Sequence, residues 1–342
     1  MVVFDWTDRR VFLTGASGFV GSWIAETLLE RGALVSALVR KNSPRTEVIR
    51  RLEKAHSKSF KKVFGDLNVK DPREISRKIK NSEIVFDVGA ITQVPYSIRH
   101  PAETMRTNVN GVLGMLEGIR LSNQDAIMVY TSTDKVYGEP DRLPITEKNQ
   151  LSAKCPYDAS KIAADRLVYT YHKTYGIKAT ISRCSNIYGG RDANLLRAIP
   201  DFVTSLIDGK NPVIRGHGNH ERDFMYVTDA VSGILLLAEN INKTNGEAFN
   251  FGTGKPTKVR ELAGTVCWLY PGQVKHVPEI LGKPSPGEID VQYIDAGKAR
   301  RLLGWKPKVS LKGGLKETIS WYRENDPWFR KVMVATQEFY GN

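Results

Sequence analysis

The chain has 342 residues, of which 41% are hydrophobic and 25% charged, an ordinary composition for a globular protein. No apolar run is long enough to cross a bilayer and the first residues do not resemble a signal peptide, so we expect a cytoplasmic protein with no membrane partner. The three cysteines include no Cys-x-x-Cys pair and the six histidines fall singly, so we predict neither a disulfide framework nor a metal site.

The formal net charge of +13 raises the question of nucleic-acid binding. The positive charge is densest between Arg40 and Lys80, and no nucleic-acid-binding motif accompanies it. We interpret the charge as a solvated basic surface that attracts anionic substrates such as nucleotide diphosphates. We therefore expect no nucleic-acid partner.

Strands and helices alternate in the first half of the chain. Residues 10–14 predict a short buried strand, residues 15–21 a glycine turn, and residues 22–31 a helix that ends at Gly32. More strands are predicted at residues 34–39, 62–64, 84–88, 126–130 and 179–183, with helices over 104–122 and 157–175. This alternation predicts an α/β fold, a Rossmann-type doubly wound parallel sheet covered by helices on both faces.

The pattern changes after Asn186, where short strand-like pieces alternate with helices, and glycine and proline become frequent. We expect residues 1–185 to form a NAD(P)-binding Rossmann domain. Residues 186–224 and 253–342 are expected to form a smaller α/β substrate-binding lobe on its C-terminal side. Residues 225–252 are expected to fold back onto the first domain.

The glycine turn places a glycine at every third position between a strand and a helix. Such a turn lets the backbone approach a pyrophosphate closely and presents its N–H groups at a helix N-terminus, where anions are favoured. The pattern therefore predicts a dinucleotide site. Its residues are Gly15, Ser17, Gly18, Phe19, Val20 and Gly21.

The end of the second strand bears on the choice between NAD and NADP. A carboxylate there would hold the adenosine ribose of NAD, but this chain has Arg40, followed by Lys41 and Arg45. These cations suit the 2′-phosphate of NADP, although they would equally form a solvated basic loop. The choice between the two cofactors stays open.

Thr133, Tyr157 and Lys161 suggest redox chemistry at an alcohol. Tyr157 and Lys161 lie one helical turn apart, so their side chains emerge on one face of a helix, where the ammonium is expected to lower the phenol pKa. Asp134 and Lys135 exceed what simple hydride transfer needs, and this surplus suggests an elimination. The alternative is that Asp134 and Lys135 form an exposed ion pair of little consequence.

With these motifs in place, the chain resembles the extended short-chain dehydrogenases, and among them the nucleotide-sugar epimerases and dehydratases. The resemblance includes Thr107-Asn108-Val109 at a helix start, residues 184–189, residues 222–227 and residues 298–305. It is most similar to the CDP-glucose 4,6-dehydratase group in residues 18–23, 194–200 and 212–215, in Gln292-Tyr293, and in Asp134-Lys135.

The resemblance implies a recycled NAD or NADP, a nucleotide-diphosphate hexose substrate, and a homodimer formed through the helices near 104–122 and 157–175. The cofactor contacts that it implies, besides the glycine turn, are Arg40, Asp66, Leu67, Gly89, Ala90, Thr107, Tyr157 and Lys161. The substrate contacts that it implies are Thr133, Asn186, Asn194, Arg215, Arg222 and Gln292. The chain departs from the pattern at residues 87–91, where Asp-Val-Gly-Ala-Ile replaces the usual His-x-Ala-Ala-Gln.

The predicted reaction removes water across C5 and C6 of the hexose after oxidation at C4. Tyr157 would accept the C4 hydroxyl proton, with Thr133 hydrogen-bonded to the same oxygen and Lys161 holding the ribose. Lys135 would remove the C5 proton if part of its population is neutral, and protonated Asp134 would donate to the departing C6 hydroxyl. The alternatives are a 4-epimerase and a NAD(P)-binding regulator without turnover.

Overall fold

The computed structural model describes residues 4–122, 125–272, 275–282 and 289–341. In these ranges it has thirteen strands: β1 (Arg10–Thr14), β2 (Leu34–Val39), β3 (Phe60–Phe64), β4 (Ile84–Asp87), β5 (Ile127–Thr133), β6 (Lys178–Cys184), β7 (Asn186–Tyr188), β8 (Val213–Ile214), β9 (Glu221–Tyr226), β10 (Ala248–Phe251), β11 (Pro256–Lys258), β12 (Glu279–Ile280) and β13 (Val291–Gln292).

The same ranges contain thirteen α-helices: α1 (Phe19–Glu30), α2 (Thr46–Ala55), α3 (Arg73–Ser76), α4 (Val94–Arg99), α5 (Pro101–Met105), α6 (Gly111–Ser122), α7 (Pro156–Tyr175), α8 (Ala198–Ile207), α9 (Val227–Glu239), α10 (Ile241–Thr244), α11 (Val259–Leu269), α12 (Gly297–Leu303) and α13 (Leu311–Tyr340). Each helix in this described part of the chain is too short or too polar to span a lipid bilayer.

Seven parallel strands form the central sheet, in the order β10-β6-β5-β4-β1-β2-β3. Successive side chains of β1 point to opposite faces, and both faces are covered: Val11 and Leu13 lie in one hydrophobic cluster and Phe12 in another. Helices α1, α2 and α9 contribute to the first cluster, and α3, α6 and α7 to the second. The predicted doubly wound α/β fold is therefore confirmed.

The helix predicted over residues 104–122 is interrupted. A π-helical turn at Arg106–Asn110 separates α5 from α6. Asn108, which lies in this turn, is buried. Its Nδ2 donates to Ser160 Oγ at 2.9 Å and to Ile91 O, and its Oδ1 accepts the N–H of Ile91. The prediction that residues 107–109 open a helix is wrong, because the helix already begins at Pro101. The wider π-helical turn at residues 107–109 places the Asn108 side chain in the interior.

Strand β5 extends three residues beyond its predicted end at Tyr130. It keeps its pairing with β6 as far as Thr133, which lies opposite Cys184. A short 3₁₀ turn then runs from Asp134 to Tyr137, and Thr133 caps it by accepting the N–H of Lys135 at 3.3 Å. Thr133, Asp134 and Lys135 therefore stand at the carboxyl edge of the sheet.

The C-terminal half of the chain builds a four-stranded smaller sheet and a separate two-stranded one, and it also returns to the large sheet. Strand β9 pairs with β7, β11 and β13, and β8 pairs with β12. Helix α9 packs against β5 and β6, and β10 joins the edge of the central sheet with Ala248 opposite Ile181. A cleft between the large sheet and the smaller ones follows from this arrangement.

Candidate active site

The carboxyl ends of the central strands open into a cavity of about 630 Å³. Its wall runs from the glycine turn, past the ends of β4 and β5, to residues of the smaller sheet. Ligands of parallel α/β sheets bind at this edge, and the volume is that of an ordinary ligand site. Every site residue predicted from the sequence, except Gln292, lines this cavity.

The glycine turn between β1 and α1 forms one end of the cavity. Gly15 has a φ of +74°, and Gly18 N donates to Gly15 O at 2.8 Å. A Cβ at residue 15 would lie 2.8 Å from Gly89 N, and one at residue 21 would lie 2.1 Å from Gly15 O. Only glycine allows this approach, so the cavity meets bare backbone and the N-terminus of α1. The arrangement fits the pyrophosphate of a dinucleotide.

The cavity wall next to the glycine turn contains further predicted cofactor contacts. Asp66 Oδ1 accepts the N–H of Asn68 at 3.0 Å, which fixes the loop after β3. Leu67 packs beside Gly89, where a Cβ would lie 2.7 Å from Leu67 Cδ1. Thr107 reaches the wall from the π-helical turn.

Arg40 and Arg45, the cations that suggested NADP, both contact helix α13. Arg40 Cζ lies 4.5 Å from the centroid of the Phe339 ring, and Arg45 Nε donates to Thr336 Oγ1 at 3.2 Å. Burial lowers the pKa of Arg45. Phe339 and Tyr340 also line the cavity, and the sequence did not predict either of them as site residues.

Asp87, the main departure from the family pattern, is buried below the wall. Its Oδ1 accepts a 2.6 Å hydrogen bond from Thr14 Oγ1, which itself accepts the N–H groups of Val88 and Gly89. Oδ2 finds no hydrogen-bond partner among the residues that the structure describes. Burial raises the pKa of Asp87 to about 6, against the opposing effects of Thr14 and Lys161. Asp87 therefore ties β4 to β1 beneath the cavity.

Tyr157 and Lys161 lie on α7 and are both buried. Lys161 Nζ donates to Thr131 O at 2.6 Å, and burial lowers the pKa of Lys161 to about 8. Burial raises the pKa of Tyr157 above its usual value, and the positive charge of Arg197 is the strongest opposing effect. The expected lowering of the phenol pKa is therefore wrong in direction, because burial outweighs the opposing positive charge.

Arg197 lines the cavity beside Tyr157 and is held by Asp192, to which its Nη1 donates at 2.9 Å. It belongs to residues 194–200, a segment that was singled out for its family resemblance without a role for the arginine. The presence of a cation within this family-like segment was the feature of the sequence that could have indicated Arg197 as a site residue.

Asp134 is buried at the cavity wall, with 2% of its side chain exposed. Thr133 Oγ1 donates to Asp134 Oδ1 at 3.1 Å, whereas Asp134 Oδ2 has no hydrogen-bond partner in the described ranges. Lys135 Nζ lies 3.7 Å from Oδ2, and 27% of the lysine side chain is exposed. The alternative interpretation is that Asp134 and Lys135 form an exposed ion pair. That interpretation does not describe this geometry, because the carboxylate of Asp134 is buried.

The electrostatic environment of Lys135 favours loss of its proton. Desolvation lowers the pKa of Lys135, Asp134 opposes this shift, and the positive charge of Arg222 adds to it. The direction agrees with the predicted need for a neutral amine. The nearby cation that adds to the desolvation effect is Arg222.

Gln292 lies behind Lys135, outside the cavity wall. Its Oε1 accepts from Lys135 Nζ, and its Nε2 donates to the backbone oxygens of Asp134 and Gly138 at 3.3 and 3.4 Å. The side chain is fully buried. Strand β13 thus brings this amide to the 3₁₀ turn, where it contacts Lys135, and the substrate contact of Gln292 stays a prediction.

The far end of the cavity carries the predicted phosphate-binding arginines. Arg215 Nη2 donates to Asp201 Oδ2 and to Leu195 O, both at 3.1 Å. Arg222 Nη1 donates to the backbone oxygens of Glu221 and Asp290 at 2.9 and 3.2 Å. Arg215 is thus paired with a carboxylate.

The two predicted asparagines hold loops at the same end. Asn186 Nδ2 donates to Asp223 O at 3.3 Å, and Asn194 Oδ1 accepts the N–H of Leu196 at 3.1 Å. Both residues line the cavity. They are placed where polar contacts to a substrate could form.

The structure brings two histidines together beside the cavity. The rings of His217 and His220 stack with centroids 4.2 Å apart, and His220 Nε2 lies 3.7 Å from Asp290 Oδ1. One ligand atom from each of these three residues falls within 4.8 Å of the others. The interpretation that the histidines fall singly is wrong here, and their spacing of three residues was the missed signal. The absence of a metal site stays a prediction.

Comparison with known proteins matches residues 12–318 to a family model described as GDP-mannose 4,6 dehydratase. The chain is 30% identical to a dTDP-glucose 4,6-dehydratase from Streptomyces niveus, over 94% of this chain and 95% of that protein. It is 32% identical to a Methanocaldococcus jannaschii protein provisionally named a UDP-glucose 4-epimerase, over 92% and 99% of the two chains.

Among solved structures, the dTDP-glucose 4,6-dehydratase from Streptomyces venezuelae, with NAD bound, superposes with a TM-score of 0.83. The two chains are 29% identical, over 94% of this chain and 99% of that one. The likeness therefore extends across the large sheet and the smaller ones.

Proposed function

Because the chain belongs to the GDP-mannose 4,6-dehydratase family of nucleotide-sugar dehydratases and epimerases, we propose that it is a nucleotide-sugar 4,6-dehydratase. It oxidises a nucleotide-diphosphate hexose at C4, eliminates water across C5 and C6, and forms a 4-keto-6-deoxyhexose. A 4-epimerase, the second candidate, has the support of the Methanocaldococcus jannaschii relative. It needs the same redox residues but no acid for a leaving group at C6.

The position of Asp134 carries this proposal. A carboxyl oxygen that is buried without a hydrogen-bond partner is costly unless it is protonated or meets a donor on a ligand. Asp134 Oδ2 has no hydrogen-bond partner among the described residues, Lys135 Nζ lies 3.7 Å from it, and Asp134 borders the cavity together with Tyr157. Asp134 at this position is placed to act as the acid that an elimination requires and an epimerisation does not.

The cofactor is NAD or NADP, and NAD has the support of one solved relative. The Streptomyces venezuelae dehydratase holds NAD, and in this chain Arg40 and Arg45 contact Phe339 and Thr336. When bound, the dinucleotide would supply the redox chemistry, as acceptor of the C4 hydride and as its donor to C6. The glycine turn holds its pyrophosphate, and Lys161 holds the ribose next to Tyr157.

Tyr157 and Thr133 act at the C4 oxygen. Tyr157, as the phenolate, accepts the proton of the C4 hydroxyl, and the Thr133 hydroxyl turns from Asp134 Oδ1 to donate a hydrogen bond to the same oxygen. Burial opposes this phenolate by raising the pKa of Tyr157, and the positive charge of Arg197 offsets only part of that rise. The product of this step is a ketone, which acidifies the C5 proton.

Lys135 and Asp134 act at C5 and C6. The neutral amine of Lys135 takes the C5 proton, and the electron pair left at C5 forms the new double bond as the C6 oxygen leaves. Asp134 donates its proton to that oxygen, which departs as water. Gln292 holds Lys135 in place during this exchange, through the hydrogen bond between its Oε1 and Lys135 Nζ.

The substrate diphosphate is assigned to the end of the cavity formed by the smaller sheet. Arg222 and Asn186 face that end, and guanidinium groups suit bidentate phosphate contacts. Leu121, Tyr169 and Tyr175 on α6 and α7 are large exposed apolar side chains, which supports a homodimer through these helices. Light scattering of the purified protein measures that oligomeric state.

Mass spectrometry after incubation with CDP-, UDP-, dTDP- and GDP-linked hexoses tests the proposed function. We expect one of these substrates to give a product lighter by one water molecule. The variant Tyr157→Phe serves as the control and should leave every substrate unchanged. A product of unchanged mass with inverted C4 would instead identify an epimerase.

A further inference from the structure

The last turn of helix α13 lies in the cofactor end of the cavity. Phe339 and Tyr340 line the wall together with the glycine turn, and Phe339 also borders a smaller hollow formed with Arg40 and Asp66. Arg40 follows the strand end where the adenosine ribose is expected, and Asp66 is a predicted cofactor contact. The C-terminal end of the chain therefore adjoins the place where the adenosine half of a dinucleotide belongs.

One side of this helix end is attached to the region after β2. The Arg40 guanidinium lies over the Phe339 ring at 4.5 Å, within the range of a cation–π contact. Arg45 Nε donates to Thr336 Oγ1, one turn earlier on the helix, at 3.2 Å. These two contacts join α13 to the segment that follows the second strand.

The other side is attached to α4. The Tyr340 ring meets the Tyr96 ring edge-on at a centroid distance of 5.1 Å. Arg99 Nη2 donates to Tyr340 O at 3.2 Å and to Gly341 O at 2.7 Å, which satisfies carbonyl groups at the helix end. The end of α13 thus spans the groove from the β2 side to the α4 side.

We propose that residues 336–341, here named the C-terminal strap, complete the adenosine site and retain the dinucleotide between turnovers. The ring of Phe339 is 40% exposed and offers an aromatic face to the adenine, while Arg40 holds that ring in place. The proposal rests on the proposed function in one respect: a dehydratase that returns its hydride has no need to release the cofactor.

The release rate of bound NAD(H) from the purified holoenzyme tests the strap. We expect Phe339→Ala to speed release about tenfold, the loss that corresponds to one weak base–aromatic contact. Val334→Ala is the matched control, because Val334 lies on the same helix, is 47% exposed and does not line the cavity. It should release NAD(H) at the rate of the unmodified protein.

Slower release in Phe339→Ala would overturn the proposal, because Phe339 would then block the adenosine site. An unchanged release rate would overturn it as well, because Phe339 would then make no contact with the cofactor. Hydrogen exchange of the unmodified protein gives a second measurement that needs no variant. Removing NAD(H) should speed exchange in residues 336–341, and equal exchange with and without NAD(H) contradicts the strap. Both readouts are independent of sugar turnover, so a chain that proved to be an epimerase would leave them unaffected.

Discussion

Thr133 Oγ1 donates a 3.1 Å hydrogen bond to Asp134 Oδ1. This bond joins the side chain assigned to the C4 oxygen to the side chain assigned to the C6 oxygen. The same hydroxyl accepts the N–H of Lys135 and so caps the 3₁₀ turn that carries both Asp134 and Lys135. The redox and elimination groups are therefore fixed by one strand end.

Replacing the proposed acid should separate elimination from oxidation. Asp134→Asn keeps the acceptor for Thr133 but has no acidic proton, so product formation should fall by about 10²- to 10⁴-fold. Oxidation at C4 should continue, and recovered substrate should therefore gain solvent deuterium at C5. Tyr157→Phe, which blocks the first step, should lose both. Unchanged product formation in Asp134→Asn would remove this residue from the mechanism.

The pH dependence of C5 deprotonation should report on Lys135. The neutral amine is the active form, so exchange of the C5 hydrogen should rise with pH, with a midpoint below the usual pKa of lysine because desolvation lowers the pKa of Lys135. Arg222 lowers this pKa further, so Arg222→Gln should move the midpoint to higher pH.

Arg215→Gln is the matched control for Arg222. Arg215 is paired with Asp201, so its loss should weaken substrate binding without moving the midpoint. A midpoint that stays constant in Arg222→Gln, or that falls, contradicts the role of Lys135 as the base near Arg222.

Asp87 should make the stability of the protein depend on pH. Burial raises the pKa of Asp87 from 3.8 to about 6, so between these values the folded state binds a proton that the unfolded chain has lost. The free energy of unfolding should therefore fall as pH rises through this window, by about 3 kcal/mol in all.

The variant Asp87→Asn measures that contribution. The amide can still accept from Thr14 but cannot ionise. Its stability relative to the unmodified protein should therefore be greater near neutral pH than at about pH 4, by roughly the same 3 kcal/mol. Urea unfolding at the two pH values gives both differences, and equal differences would show that Asp87 does not titrate as described.

Two glycines, one in crowded and one in open surroundings, test the glycine turn. A Cβ at residue 21 would lie 2.1 Å from Gly15 O, so Gly21→Ala should displace the turn, cost about 1–3 kcal/mol of unfolding free energy and empty the cofactor site. Gly264 lies in α11 with nothing near its Cβ position. Gly264→Ala should stabilise the protein by up to about 1 kcal/mol and keep the cofactor.

Urea unfolding and measurement of the bound NAD(H) check both glycine variants. Cofactor retained at the normal level in Gly21→Ala would contradict the assignment of the turn.

The features predicted correctly from the sequence depend on local patterns. Glycine spacing between a strand and a helix locates the turn, and apolar runs separated by helices predict the sheet. Thr133, Asp134 and Lys135 follow one strand, so their common position at the sheet edge needed only the strand itself. Tyr157 and Lys161 similarly share a helix face because of their spacing.

The features that were missed depend on contacts between distant segments or on burial. Phe339 meets Arg40 across almost the whole length of the chain, and nothing in its local sequence distinguishes it from any exposed aromatic. The contact of Gln292 with Lys135 depends on where β13 lies. The pKa of Tyr157 depends on how deeply α7 is buried and on where Arg197 lies, neither of which spacing reveals.

The fate of the C4 hydrogen tests dehydration most directly. A nucleotide-diphosphate hexose labelled with deuterium at C4 should give a product that is lighter by one water molecule and carries the deuterium at C6. Nuclear magnetic resonance and mass spectrometry together locate the label. Deuterium that remains at C4 in a sugar of unchanged mass and inverted configuration would contradict the proposed dehydratase and identify an epimerase.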